Sequence, residues 1–207
     1  MIAALVLAAG RAARMGSPKL LATLDGRPLV YWVIAAARAA RCDDVVVVVG
    51  AQADDVTAVA VRADARTVLN PRYREGMGTS LAAGITALPA DCDAAVVLLG
   101  DQPFVTPAMI DALIAVYRTT RRPLVTSRYG GVRGAPTLVG HVLFEEAKQL
   151  GGDVGGRVLF QRHPDLVTDV DLGPGPAMED VDTPDDLERV RRVWAERRSQ
   201  DRAGRDS

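Results

Sequence analysis

The sequence predicts a three-layer α/β fold with a mostly parallel sheet and an elaborated C-terminal half. Three observations predict it. Short apolar runs without charge recur along the first hundred residues, as strands covered on both faces do. Segments of helix length and amphipathic spacing separate those runs. Strand and helix alternate regularly, which implies right-handed βαβ units rather than hairpins.

In chain order, "IAALVLA" (2–8) is the first predicted strand, followed by a helix over 28–40 that Pro28 can open at its first position. "VVVVVG" (45–50) and "TVLN" (67–70) are strands around a helix at 53–63, and a helix at 79–88 leads to the strand "AAVVLLG" (94–100). Thr106 and Pro107 open a helix over 106–120, as N-cap and first-turn proline do. "PLVTSRYGGVRGAPTLV" reads as strand, Gly-Gly turn, strand, with a helix over "GHVLFEEAKQL" after it. "LVTDVDL" (166–172) is a further strand, and Thr183-Pro184 opens a helix over 183–198. Residues 1–198 form one predicted domain; the tail 199–207, "SQDRAGRDS", has nothing to bury and is expected to lack fixed structure.

Composition narrows the function. The 207 residues carry a net charge of −1 and are 48% hydrophobic, so the chain gives no electrostatic reason to expect nucleic acid or an anionic membrane as partner. No run of ~18 apolar residues occurs and the N-terminus lacks a basic leader, so a cytoplasmic address is expected. Cys42 and Cys92 match no metal or redox spacing and are expected as buried or half-buried thiols. His141 and His163 match no catalytic arrangement and are expected on the surface or on helix faces.

Ligands of open α/β sheets bind beyond the carboxyl ends of the strands. That rule selects the loop after residue 8, the stretch after Asn70, "GDQP" after residue 99 and the C-terminal "EDVDTP". In "LVLAAGRAARMGSPKLL" (5–21), Arg11, Arg14 and Lys19 follow a glycine that ends an apolar run. On its own this is either an anion-binding loop, whose backbone N–H groups and cations hold phosphate oxygens, or a solvated turn. It is neither a Walker A loop nor G-x-G-x-x-G. Asp101, at the end of a central strand, offers a hard oxygen ligand for Mg2+ beside such phosphates. Gly76-Met77-Gly78, a helix, a strand and Asp101 loosely imitate a dinucleotide fingerprint, so a nicotinamide-dependent oxidoreductase is an alternative, although Leu81 stands where the third glycine belongs.

From Leu7 to Lys19 the loop resembles the signature of the MobA-like nucleotidyltransferases, L-A-[AG]-G-x-S-x-R-M-G-x-x-K, with Ala12 in place of the serine. "NPRYREGMGTSL" resembles their N-P-x-[WY]-x-x-G-M-x-x-S-L, "GDQP" their metal-binding strand end, and "DVDTPDDL" their D-x-D-T-P-x-D-L. The resemblance implies a Rossmann-like nucleotidyltransferase fold. It implies a nucleotide held by Leu7, Ala8, Ala9, Gly10, Arg11, Ala12, Arg14, Met15, Gly16 and Lys19, with Gly78, Thr79 and Ser80 at base and ribose. Lys19, Arg14 and Asp101 would be catalytic, and Asp101 and Asp182 would hold Mg2+, with Asp180 beside them.

"YGGVRGAPTLV" and "LGGDVGGRVLF" resemble two loops of the cytidylyltransferase branch, R-G-H-P and G-D-x-G-x-R. They imply an acceptor near Arg133, Gly134, Pro136, Asp153, Gly155 and Arg157. Ala9 resembles the CTP-using branch. The implied reaction moves CMP from CTP to the phosphate of molybdopterin cofactor and releases pyrophosphate, with a molybdoenzyme or chaperone as recipient. Ala135 stands where histidine is usual, so a sugar or alditol phosphate remains an alternative acceptor.

Overall fold

The computed structural model describes residues 1–10, 15, 18–152 and 155–203. The central apolar runs form the sheet that their patterning predicts. β1 (Ile2–Ala8) is followed by a small hairpin, β2 (Thr23–Leu24) and β3 (Arg27–Pro28), and by α1 (Leu29–Ala39). β4 (Asp44–Val49), α2 (Ala53–Arg62), β5 (Arg66–Leu69), α3 (Met77–Thr86) and β6 (Ala94–Leu99) continue the alternation. α4 (Pro107–Thr120) leads to the hairpin β7 (Leu124–Tyr129) and β8 (Val132–Gly140). The remaining elements are α5 (Phe144–Ala147), α6 (Arg157–Arg162), β9 (Val167–Asp171) and α7 (Pro184–Ala203).

The seven long strands form one sheet in the order β5-β4-β1-β6-β8-β7-β9. β5, β4, β1 and β6 are mutually parallel, β8 is antiparallel to both β6 and β7, and β9 is parallel to β7. β8 alone therefore runs against the rest.

Alternation along β1 shows how the layers form. Ile2, Ala4, Val6 and Ala8 face a core built with Val33 and Ile34 of α1, Val56 of α2 and Ile110 of α4. Ala3 and Leu5 face the opposite core, with Leu81 and Ile85 of α3 and Phe144, Leu150 and Leu159. Both faces of the sheet are covered, hence strands with no polar alternation.

Several local expectations change. Pro28 is the N-cap of α1 and not its first helical residue, because it still carries the extended backbone of β3 (ψ 147°). α3 starts at Met77, two residues early, directly after Gly76 at φ 112°. The helix expected over 140–150 shrinks to a 3-10 turn, His141–Leu143, and the single turn α5, since the chain leaves β8 only at Gly140. α7 continues to Ala203, past Arg198, where the folded part was expected to stop. Thr106 and Pro107 open α4 as predicted, with Thr106 Oγ1 accepting from the Met109 N–H. Among the described residues no helix is long and apolar enough to cross a membrane.

Candidate active site

A cleft of about 510 Å3 opens at the carboxyl ends of β1 and β6, over the start of α3. Leu7, Ala8, Ala9 and Gly10 line it from β1, Lys19 and Asp101 from its centre, and Asp180 and Asp182 from the C-terminal segment. The first strand and its loop, the end of β6 and a segment some eighty residues later thus meet as the sequence motifs suggest.

Lys19 opens a 3-10 turn whose next residue, Leu20, is buried and fixes the turn against the core. Asp101 follows Gly100, whose N–H donates to the Leu7 carbonyl and extends the β1–β6 ladder by one step. The Val181 N–H donates to the Asp101 carbonyl, which ties the C-terminal segment to the end of β6. The result is one ammonium between two carboxylates: Lys19 Nζ lies 2.5 Å from Asp101 Oδ2 and 2.8 Å from Asp182 Oδ1. Burial alone would lower the pKa of Lys19, but the Asp101 charge and hydrogen bond, joined by those of Asp182, outweigh it and raise the value.

Asp180 adds a third negative charge. Its carboxylate accepts from Gln102 Nε2 at 2.7 Å. Crowding by protein atoms and the neighbouring Asp101 charge push its pKa up, and the Gln102 hydrogen bond only partly counters this. Three carboxylates against Lys19 and Arg74 leave the described lining of the cleft short of positive charge.

Among the described residues no group of three or more His, Cys, Asp or Glu side chains forms a metal cage by itself. Asp101 and Asp182 nevertheless converge on one cationic centre. Mg2+ and Mn2+ sites that also take phosphate oxygens and water need only one or two protein carboxylates. The donor set fits such an ion.

α3 enters the cleft through a turn organised by Asn70, 1% exposed. Its Nδ2 donates to Thr79 Oγ1 and Ser80 Oγ, and its Oδ1 accepts from the Arg72 N–H. Thr79 Oγ1 also lies within bonding distance of the Arg72 and Gly76 carbonyls, so its hydroxyl holds the turn. Ser80 does line the cleft. Gly78 donates its N–H to the Gly152 carbonyl, and a Cβ there would lie 2.6 Å from the Gly151 carbonyl oxygen. That approach brings the 151–152 segment against the start of α3. Gly155, at φ +52°, lies against Met77, and Arg157 opens α6 just beyond it.

Not every expected residue meets the cleft. Met15 turns its side chain into an apolar cluster with Leu24, Leu29 and Phe104. Arg133 is held by Asp169 through Nε at 2.7 Å and Nη2 at 3.1 Å, because β9 runs beside β7 and brings that carboxylate alongside. Gly134 pairs with Ser127 next to a register shift, and the Pro136 carbonyl accepts from Ser127 Oγ. Both lie on β8 beyond Thr137, toward the end of the sheet where β6 finishes. Arg11, Ala12, Arg14, Gly16 and Asp153 lie outside the described residues. Tyr73 and Arg74 line the cleft although the sequence reading did not select them. Tyr73 is the aromatic of the N-P-x-[WY] motif, whereas nothing in the sequence marked Arg74, which lies over the Tyr73 ring.

The remaining polar candidates are structural. His163 pairs with Glu146 at 2.6 Å, and His141 lies edge-on to Phe144 on the surface. Cys42 is half-buried and Cys92 buried, and both are free; burial pushes the Cys42 thiol up to about 12 and raises that of Cys92.

Known proteins share this architecture. The chain is 31% identical to nicotine blue oxidoreductase from Paenarthrobacter nicotinovorans, over 91% of this chain and 96% of that one. It is 39% identical to the bifunctional protein GlmU of Sorangium cellulosum over 54% of this chain, which spans only 25% of that relative. The solved structure of Rv0371c from Mycobacterium tuberculosis H37Rv superposes with a TM-score of 0.81 at 30% identity, covering 92% of this chain and 97% of that one. The same protein is also known as a manganese complex (TM-score 0.77, 28% identity, covering 91% and 96%). Residues 4–167 match the model of the MobA-like NTP transferase domain, and the chain belongs to that nucleotidyltransferase family.

Proposed function

We propose that this protein is a Mg2+-dependent cytidylyltransferase that moves CMP from CTP to the phosphate of molybdopterin cofactor and releases pyrophosphate. The observation that carries the reading is the meeting of Lys19 with Asp101 and Asp182 in one cleft, 2.5 and 2.8 Å from the ammonium. That the Rv0371c relative is known as a manganese complex supports the use of a divalent ion. Asp101 and Asp182 would hold the ion, which when bound supplies positive charge to the phosphates.

Attack of an acceptor phosphate oxygen on the α-phosphorus brings two anions together, so alignment and charge neutralisation dominate the barrier. Lys19, positioned between Asp101 and Asp182, would place its ammonium against the α-phosphate as charge develops. The N–H groups after Ala8, with Arg14 by sequence, would hold the departing pyrophosphate. An acceptor phosphate is already ionised at neutral pH, so the step needs no general base; His141 and His163 are engaged elsewhere. Gly134, Pro136, Gly155 and Arg157, with Asp153, would border the acceptor. Arg133 is a poorer candidate there because Asp169 holds it.

A second reading follows from the full-length relative called an oxidoreductase. Against it, Leu81 is fully buried where a fingerprint would need its third glycine, and the close approach at Gly78 serves the Gly151 backbone. A screen of the four NTPs with Mg2+, against molybdopterin and a panel of phosphorylated acceptors, decides among these. Pyrophosphate release with CTP and molybdopterin supports the proposal; activity only with sugar or alditol phosphates reassigns the acceptor. Nicotinamide-cofactor oxidation without metal, and no pyrophosphate, replaces it with the oxidoreductase reading.

A further inference from the structure

Each segment that supplies the charged trio also sends an apolar neighbour into one small cluster apart from the two main cores. Met15, four residues before Lys19, Phe104, three residues after Asp101, and Val181, between Asp180 and Asp182, are buried together with Leu24, Leu29, Leu187 and Val190. These three side chains come from the loop after β1, the loop after β6 and the segment before α7. In this cluster the segments that carry Lys19, Asp101 and Asp182 touch one another through apolar side chains.

α7 closes this cluster. Trp194 packs its ring 4.6 Å from that of Trp32 and 5.7 Å from that of Phe104, and Arg197 lies over the Phe104 ring at 5.4 Å. The helix is tied down on both sides of Trp194: Arg191 donates to the Thr23 carbonyl, and Arg198 pairs with Asp25. The β2–β3 hairpin and α7 thus grip each other, with the aromatic stack between them. α7 lies beyond residues 4–167, the part matched by the family model.

The Trp194 indole N–H is buried and has no hydrogen-bond partner among the described residues. A ring chosen only to fill space would do better as phenylalanine, which brings no unpaired donor. What tryptophan adds is area: one ring spans from Trp32 on α1 to Phe104 beside the Asp101 loop.

We propose that Trp194 is a positioning residue that acts through Phe104, Val181 and Met15 to hold Asp101, Asp182 and Lys19 at their common point. The inference rests on the proposed metal-dependent reading of the cleft, but its test does not need turnover. Trp194→Ala and Trp194→Phe are compared with wild type in two measurements at a temperature well below unfolding. One is the Mn2+ dissociation constant by calorimetry without nucleotide. The other is the Mg2+ dependence of pyrophosphate release.

Trp194→Ala is expected to weaken Mn2+ binding at least fivefold. It should raise the half-saturating Mg2+ concentration by a similar factor and lower kcat at least tenfold. Trp194→Phe, whose smaller ring gives up part of that span, is expected to fall between wild type and Trp194→Ala in all three. Should Trp194→Ala not fold, Trp194→Leu, apolar but without a flat ring, replaces it with the same expectations.

A variant that loses only thermal stability, with metal binding and kcat at the wild-type level, overturns the proposal. If wild type binds Mn2+ but releases no pyrophosphate, the transferase reading fails, and the calorimetric comparison alone decides on Trp194. If wild type neither binds the metal nor turns over, both fall.

Discussion

Lys19 and Asp101 stand 82 residues apart in the chain and meet at 2.5 Å, with Asp182 completing the contact from the other side. A lysine between two carboxylates, only 14% exposed, is held ready rather than left to search solvent. Removal of a preorganised donor to a developing charge typically costs about 10²–10³ in rate. Lys19→Ala should therefore lower kcat for pyrophosphate release by that order with an unchanged circular-dichroism spectrum. A loss smaller than tenfold would remove Lys19 from the chemistry.

Asp101→Asn and Asp182→Asn test the metal assignment. Each should raise the half-saturating Mg2+ concentration by roughly tenfold or more, a range typical of weakened metal sites. Wild type should lose activity on chelation and recover with Mg2+ or Mn2+. Titration of the ion at fixed CTP measures this, and variants with the wild-type metal requirement would place the ion elsewhere.

Asn70 makes a different kind of prediction, about stability at the rim of the site. Asn70→Ala leaves the Arg72 N–H and the Thr79 and Ser80 hydroxyls without their buried partner. A loss of about 1–3 kcal/mol is expected, or roughly 2–4 °C in Tm for each kcal/mol in a chain of this size. Thermal denaturation followed by calorimetry checks it, and KM for the nucleotide should rise as the start of α3 loosens.

Asp186 carries a pH signature. Its carboxylate accepts from the Thr183 hydroxyl and from the Thr183 and Asp182 N–H groups, while Thr183 Oγ1 accepts from the Asp186 N–H. The Thr183 hydrogen bond first, and then Arg189 and the backbone donors, pull its pKa down to about 2. A depressed carboxylate pKa stabilises the folded state above the unfolded value, 3.8, and that contribution is lost as pH falls through about 2. Asp186→Asn should thus lower Tm at neutral pH, and its gap to wild type should close between about pH 4 and pH 2. A gap independent of pH would show that the charge contributes nothing.

Much of this was legible in the sequence, for identifiable reasons. β1, β4 and β6 are buried on both faces, so their uninterrupted valine, leucine and alanine runs admit little else. Thr106-Pro107 and Thr183-Pro184 announce helix starts through local chemistry alone. The trio was legible because Asp101 ends an apolar strand, while Lys19 and Asp182 stand in stretches that resemble motifs of the MobA-like nucleotidyltransferases.

Tertiary partners were not legible. β2 and β3 are two residues each and too short to carry a period. Arg133 looked available until β9 brought Asp169 beside it. Met15 sits inside a phosphate-loop motif, yet its side chain completes the cluster closed by α7. Gly78 is expected at the nucleotide from its motif, and that its smallness also admits the Gly151 backbone is a relation between segments that no local pattern records.

The central position of β1 also bears on how the chain is made. β1 hydrogen-bonds to β4 through residues 44–49 on one side and to β6 through residues 94–99 on the other. During synthesis β1 therefore lacks its second neighbour until roughly ninety further residues have been translated, some 5–20 s at ordinary elongation rates. Throughout that interval a charge-free segment with open backbone edges is exposed to other nascent chains. Asp101 emerges two residues after that neighbour is complete, so the cleft acquires its central carboxylate only when the sheet's middle has closed.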